Sequence, residues 1–243
     1  MKLNSIYLKI LRNISMYSSN LCYEGDKVIR INKDKQLFIE AYIPDFLDVP
    51  LYTRNVPELL RLMNEDTTVT VDMNNDGYYI IVDNGIGKVK YRMAKKSVTE
   101  KEANLPNYTI DSMFEKCEEK IVKFNLPKEK YDELMKVSKM LESDRISISS
   151  LNENTIRLTS YIKESKDDKQ YYVDIDIAHT HFDKKLAFQL KIMDFVSAMD
   201  YTFEIGIKKA KNNDLLIPIA KVTAFVDDKI NVKYLSLGDR ERA

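Results

Sequence analysis

Tryptophan is absent from the 243 residues, and cysteine, glycine and proline are scarce, at two, six and six. Cys22 and Cys117 are too few for a disulfide scaffold or a cysteine-based zinc site, and read as reduced thiols in a reducing compartment. Six glycines leave little for phosphate-cradling loops. Gly85-Ile86-Gly87 lacks the third glycine and the following helix that a dinucleotide fingerprint requires. No apolar run approaches the roughly 18 residues of a membrane span. The start, Met1-Lys2-Leu3-Asn4-Ser5-Ile6, has no continuous apolar segment, so a signal peptide is not expected and the chain reads as soluble and cytoplasmic. Net charge is lacking too: Lys+Arg and Asp+Glu are both 38. That balance excludes disorder by self-repulsion and a uniformly basic coat for nucleic acid, but allows a basic face opposite an acidic one.

What is present is 44% hydrophobic residues, ordinary for a packed core, and a length of one large or two ordinary domains. Leu3, Ile6, Tyr7, Ile10, Leu11 and Ile14 form one apolar stripe, predicting a helix over 3–16 capped by Asn4 or Ser5. Strands are expected at 27–31 and 36–42, with a short extended piece at 49–53. A second helix is expected at 56–63, with Pro57 in its first turn. Strands at 67–73, 77–83 and 86–92 follow, turned by Asp76-Gly77 and Asn84-Gly85. Residues 94–118 have no clean period and read as a long connector. The order then repeats: strand 120–124, helix 127–142 with Tyr131, Leu134, Ser138 and Leu141 inward, strands at 145–150, 154–162, 170–177 and 185–190, a short helix at 191–199, and strands at 202–208, 214–220, 222–227 and 230–237. The expected fold class is α+β: two domains, 1–93 and 119–243, each with two helices packed on antiparallel sheets.

Charge placement narrows the function. The first helix carries Lys2, Lys9 and Arg12 with no acid between residues 2 and 17. The helix in the same place of the second half carries Lys128, Lys136 and Lys139 on one side, interrupted by Asp132. Many acids fall in loops and hairpins. A neutral chain with charge segregated in this way fits a polyanion on one face, and lysines without interleaved aromatics suit sequence-independent phosphate contact.

Other constellations favour blander readings. Asp72-Met73-Asn74-Asn75-Asp76-Gly77 with Asp83 resembles a calcium loop, but its flanks alternate as strands, so a hairpin turn is the reading. His179 and His181 have no third histidine or cysteine to complete a nitrogen or sulfur metal site. No nucleophile elbow or metalloprotease helix occurs. Met63, Met135, Met140, Met193 and Met199 read as core filler. No catalytic residue, cofactor or metal site is expected.

The repeated helix–sheet unit, the long connector and the basic long helices resemble the DNA polymerase sliding clamps, in particular the trimeric clamps of tailed bacteriophages. Met1-Lys2-Leu3, Leu11-Arg12-Asn13, Leu134-Met135-Lys136-Val137-Ser138-Lys139, Thr155-Ile156-Arg157-Leu158 and Lys233-Tyr234-Leu235 carry the likeness. The resemblance implies a three-subunit ring around duplex DNA that tethers the replicative polymerase. Lys2, Lys9, Arg12, Arg61, Lys128, Lys136, Lys139 and Lys191 would face the DNA. It also implies strand pairing between subunits, Lys88, Val89, Lys90 and Tyr91 against Thr155, Ile156, Arg157 and Leu158 of a neighbour. A partner pocket would use Ile31, Leu37, Met113, Phe114, Pro218, Leu235 and Leu237. Implied partners are the polymerase, an ATP-dependent clamp loader and late-transcription factors. Two alternatives remain open on sequence: a non-ring accessory subunit of the same fold, and a β-rich virion or scaffold protein.

Overall fold

The structure, a computed structural model, describes residues 4–74, 77–96, 109–164, 169–177, 181–210 and 215–242. Lys2, Leu3, Asp76, His179 and residues 97–108 of the connector lie outside the described residues. The chain forms two compact units. One comprises Met1–Asn107 and Val226–Val232, the other Tyr108–Phe225 and Lys233–Ala243.

In the first unit, α1 (Ser5–Tyr17) starts where the Asn4 side chain accepts the Ile6 N–H at 2.9 Å. It buries Leu8, Ile10, Leu11, Asn13 and Ile14, so Leu8 joins the stripe while Ile6 and Tyr7 stay half-buried. Strands β1 (Leu21–Glu24), β2 (Lys27–Ile31), β3 (Leu37–Tyr42) and β4 (Leu51–Thr53) form an antiparallel sheet in the order β4-β1-β2-β3. The sequence did not announce β1. At the β2–β3 turn the Asn32 carboxamide oxygen accepts the Gln36 and Leu37 N–H groups, and Lys35 takes φ 56°. Helix α2 (Val56–Arg61) follows. A second sheet, β5 (Thr68–Asn74), β6 (Gly77–Asp83) and β7 (Lys88–Arg92), has the order β5-β6-β7. Its second turn needs the left-handed φ of +82° that Gly85 supplies, and Asn84 accepts the Ile86 and Gly87 N–H groups.

In the second unit, the supposed connector contains a short helix, α3 (Ile110–Phe114), capped by Thr109 and burying Ile110 and Phe114. Then come β8 (Glu119–Pro127), α4 (Lys128–Met140), β9 (Arg145–Asn152), β10 (Thr155–Tyr161), β11 (Tyr171–Asp176), β12 (Leu186–Gln189), β13 (Asp200–Lys209), β14 (Leu215–Phe225), β15 (Asn231–Leu237) and β16 (Glu241–Arg242). One sheet is β11-β10-β9-β12. The other runs β15-β14-β13-β8, with β16 on β14.

Two expectations are corrected here. The helix expected at 191–199 is only a 3-10 turn, Leu190–Ile192. Leu190, Ile192, Met193, Phe195, Val196 and Ala198 are all buried, and only Lys191, Asp194, Ser197 and Met199 keep surface, so most of the segment's side chains are drawn into the core. Its backbone is satisfied by phenol groups instead. Tyr131 Oη donates to the Met193 carbonyl (2.8 Å) and accepts from Phe195 N–H (2.6 Å). Tyr201 Oη accepts from Ala198 N–H and donates to the Val196 carbonyl, and Tyr234 Oη accepts from Val196 N–H.

The strands expected at 214–220 and 222–227 are one strand, β14. Lys221, which read as a break, is buried in its middle. Its ammonium meets Glu204 at 2.6 Å and Asp111 at 3.1 Å and lies over the Phe114 ring. A ladder of alternating sign results: Lys123 on β8, Glu204 on β13, Lys221 on β14, Asp111 on α3 and Lys233 on β15, which reaches Asp111 at 2.5 Å.

Candidate nucleic-acid interface

Lys9 and Arg12 project from the exposed side of α1, and no acid lies within the helix. Among the described residues Lys9 has no ion pair. Arg12 makes one long bond, 3.4 Å, from a guanidinium nitrogen to the Met63 carbonyl. Arg61, in the last turn of α2, is also exposed. Arg12 and Arg61 border a groove of about 320 Å³ with Ser15, Pro57, Leu60 and Met63. On its other side Arg12 joins Lys9 in a groove of about 400 Å³ that ends at Glu65 and Asp66. Lys9, Arg12 and Arg61 give this surface cationic hydrogen-bond donors of the kind that contact phosphate oxygens.

The matching face of α4 is different. Lys128 pairs with Asp132 at 2.5 Å, which holds its ammonium above the usual lysine range. Lys130 turns toward the sheet and donates to the Asp174 carbonyl. Lys139 pairs with Asp194 at 2.8 Å. Lys136 alone among the α4 lysines has no partner among the described residues, and it is exposed. A groove of about 520 Å³ that α4 lines with Met135 and Lys139 carries both signs, with Lys139, Arg145 and Lys191 against Asp144 and Asp194.

The expected subunit edges are half corrected. Lys88–Arg92 does form an edge strand, β7, exposed except for the half-buried Tyr91. Thr155, Ile156, Arg157 and Leu158 do not form an edge. Their strand β10 pairs with β9 on one side and β11 on the other. The chain returns after the hairpin tip and covers that edge itself. The outer position belongs to β11, where Asp176 and Tyr172 are exposed and Asp174 is clamped by Arg157 through two bonds of 2.7 and 2.8 Å. That clamp holds the Asp174 carboxyl below the usual carboxylate range. Arg157 also lies 4.0 Å over the Tyr172 ring. Among the described residues no strand pairs the outer edge of β7 or of β11; β7 carries Lys88, Lys90 and Arg92, with Lys88 and Lys90 meeting Asp83 and Asp72 of their own sheet, and β11 carries acids and tyrosines.

The candidate pocket residues divide by burial. Leu37, Phe114, Pro218 and Leu235 are core, closed to a partner in this conformation. Ile31, Met113 and Leu237 are half-buried and keep surface to offer. Ile31 and Leu37 belong to the first unit and the others to the second.

No family model and no curated protein matches the sequence. Solved structures do match the fold. A chain of the PCNA2–PCNA3 complex of Sulfolobus tokodaii superposes with a TM-score of 0.64 at 11% identity, over 96% of this chain and 95% of that one. The proliferating cellular nuclear antigen of Entamoeba histolytica gives 0.59 at 14% identity, over 96% and 95%. The pol III beta of Caulobacter crescentus gives 0.57 at 12% identity, over 97% of this chain and 64% of that one. The protein has the mixed α+β fold of the sliding clamps.

Proposed function

We propose that this protein is a non-enzymatic sliding clamp of tailed-phage type that encircles duplex DNA as a homotrimer and tethers a replicative polymerase. The observation that carries the reading is the acid-free, exposed basic face of α1 on a clamp fold. Each phosphate contact of that face is a solvated, exchangeable ion pair, so the ring holds by enclosure while single pairs form and break as it slides. Lys9, Arg12, Arg61 and Lys136 supply the charges that internal partners leave free.

Ring closure calls for a head-to-tail interface whose rotation closes on itself. Lys88, Lys90 and Arg92 of β7 suit Asp174 and Asp176 of β11 on the next subunit, and main-chain pairing there would hide both open edges. The polymerase, an ATP-driven loader and late-transcription factors would dock short apolar segments on surfaces that include Met113 and Leu237. The site of action would be the cytoplasm of an infected bacterium.

Two measurements test this. Light scattering over a dilution series should give three times the chain mass, and Lys88→Glu with Arg92→Glu should shift it toward one. A wild-type monomer at every concentration refutes the ring. Lys9→Ala with Arg12→Ala should lower the slope of log affinity against log salt on duplex DNA by about 0.9 for each phosphate the protein no longer neutralises. An unchanged slope refutes the DNA-facing assignment.

A further inference from the structure

The two long helices read alike in sequence, yet their cations stand in different electrostatic states. Across an offset of 124 residues Tyr7 matches Tyr131, Arg12 matches Lys136 and Met16 matches Met140. The matched tyrosines even make matching bonds, Tyr7 Oη to the Pro44 carbonyl and Tyr131 Oη to the Met193 carbonyl. Within that shared frame, among the described residues, ion pairs on the long-helix cations occur only in the second unit, while Glu65 and Asp66 of the first stay at the far end of the Lys9 and Arg12 groove. Asp132 lies on α4 itself, one turn from Lys128. Asp194 comes from the irregular segment that replaces the second helix, and it meets Lys139 at the groove. Asp194 is the more sheltered partner, with a quarter of its side chain exposed (26%) against 58% for Lys139. That difference leaves the lysine able to swing out while the carboxylate stays.

We infer that Asp194 is an internal stand-in for a DNA phosphate: it holds Lys139 in the absence of DNA and competes with the duplex for it. The inference rests on the DNA-facing reading of the helices. A phosphate must displace Asp194 before Lys139 can neutralise it, so the second unit's hold on DNA is weaker and shorter-lived than that of Lys9 and Arg12. Exposed pairs of this kind are modest in strength, so the exchange is nearly balanced, which suits a surface that must let go as often as it grips. The 3-10 segment thereby gains a role in positioning: its departure from helix brings Asp194 to the end of α4. Asp194 touches no phosphate in this account. It acts through Lys139.

The test is a double-mutant cycle read by fluorescence anisotropy of a short labelled DNA duplex across a salt series, using the full chain. Asp194→Asn should tighten binding roughly two- to fivefold at low salt and steepen the salt slope, because a neutral amide no longer holds the lysine. Lys139→Ala alone should weaken binding little. In the Lys139→Ala background Asp194→Asn should do nothing further. If it tightens binding there as well, the carboxylate acts through the general field and the inference is overturned. It is overturned too if Asp194→Asn has no effect while Lys9→Ala with Arg12→Ala flattens the slope. If the Lys9 and Arg12 pair itself leaves the slope unchanged, the DNA-facing reading has failed and the inference falls with it. Unchanged mass and unfolding midpoint of Asp194→Asn exclude a structural cause.

Discussion

The short α2 of the first unit and residues 190–199 of the second occupy the same place in the element order, and they satisfy their backbones by opposite means. α2 carries its own instructions. The Asn55 side chain accepts from the Glu58 N–H and returns a bond to the Glu58 carboxylate at 2.6 Å, Pro57 stands in the first turn and Arg61 in the last. Residues 190–199 have almost none of this. Their N–H and carbonyl groups reach Tyr131, Tyr201 and Tyr234, contributed by α4, β13 and β15. The tyrosine rings pack among themselves and Phe195, with centroids 4.2 Å apart for Tyr131–Tyr201 and 4.6 Å for Phe195–Tyr234. Local capping makes an element that its own sequence can specify. Long-range hydroxyls make one that exists only once the core has assembled.

That contrast is open to breakage. The largest effect belongs to Tyr131→Phe, which removes two buried bonds, leaves the Phe195 N–H only its 3.1 Å bond to the Met193 carbonyl, and should destabilise the second unit by about 2 kcal/mol in urea unfolding. Loss of amide-exchange protection should centre on 193–198; protection lost equally in α2 would show that the two units do not unfold separately. A smaller effect is expected of Asn55→Ala, about 1 kcal/mol for a missing cap, confined to the first unit. Both should leave the DNA salt slope alone, since neither side chain lies on the basic face.

Acid should separate the units more gently. Asp111 is raised by burial, but hydrogen bonds from Lys233 and Lys221 outweigh this and hold it below the usual range. Asp239 is likewise raised by burial and lowered further by Arg145 and Lys163. Asp174 is lowered by Arg157. Carboxyls depressed in the folded state contribute stability that is complete above the unfolded-state value of about 3.9 and is lost as pH falls through the lower folded values. The second unit should therefore loosen first on titration from pH 5 toward pH 2. The first unit's depressed carboxyls, Glu24 and Asp83, are two against three and are as open to water as Asp111 and Asp174, so the difference rests on number and on Asp239, whose side chain is only 20% exposed. Circular dichroism of Lys221→Met should show the acid transition of the second unit blunted; a transition unchanged from wild type would remove the ladder as its cause.

Much of the fold was legible because its signals are local. The α1 stripe, the Asn84-Gly85 turn and the alternation of β5 and β6 need only a few neighbouring residues to be read. What escaped depends on distant partners. Lys221 reads as a break until Glu204 and Asp111 arrive beside it. Residues 191–199 read as helix because nothing nearby in sequence announces three phenol groups. The β10 edge was misplaced because its likeness to an interface strand says nothing of whether β11 returns to cover it. At the candidate interface, the free cations of α1 were visible from the missing acids. Asp194 was invisible, since 55 residues separate it from Lys139. The burial of Leu235 and Phe114 was not legible for a related reason: an apolar side chain looks the same in sequence whether it fills a core or lines a surface.

The charge ladder of the second unit bears on inheritance. Its five members sit on five separate elements, and each interior member touches neighbours of the opposite sign. Reversing any interior charge alone sets like charges side by side at hydrogen-bonding distance, partly out of water. A lineage can therefore leave this arrangement only by changing partners together or by neutralising a linked pair in close succession. Positions 111, 204 and 221, far apart along the chain, should drift through evolution as one coupled character.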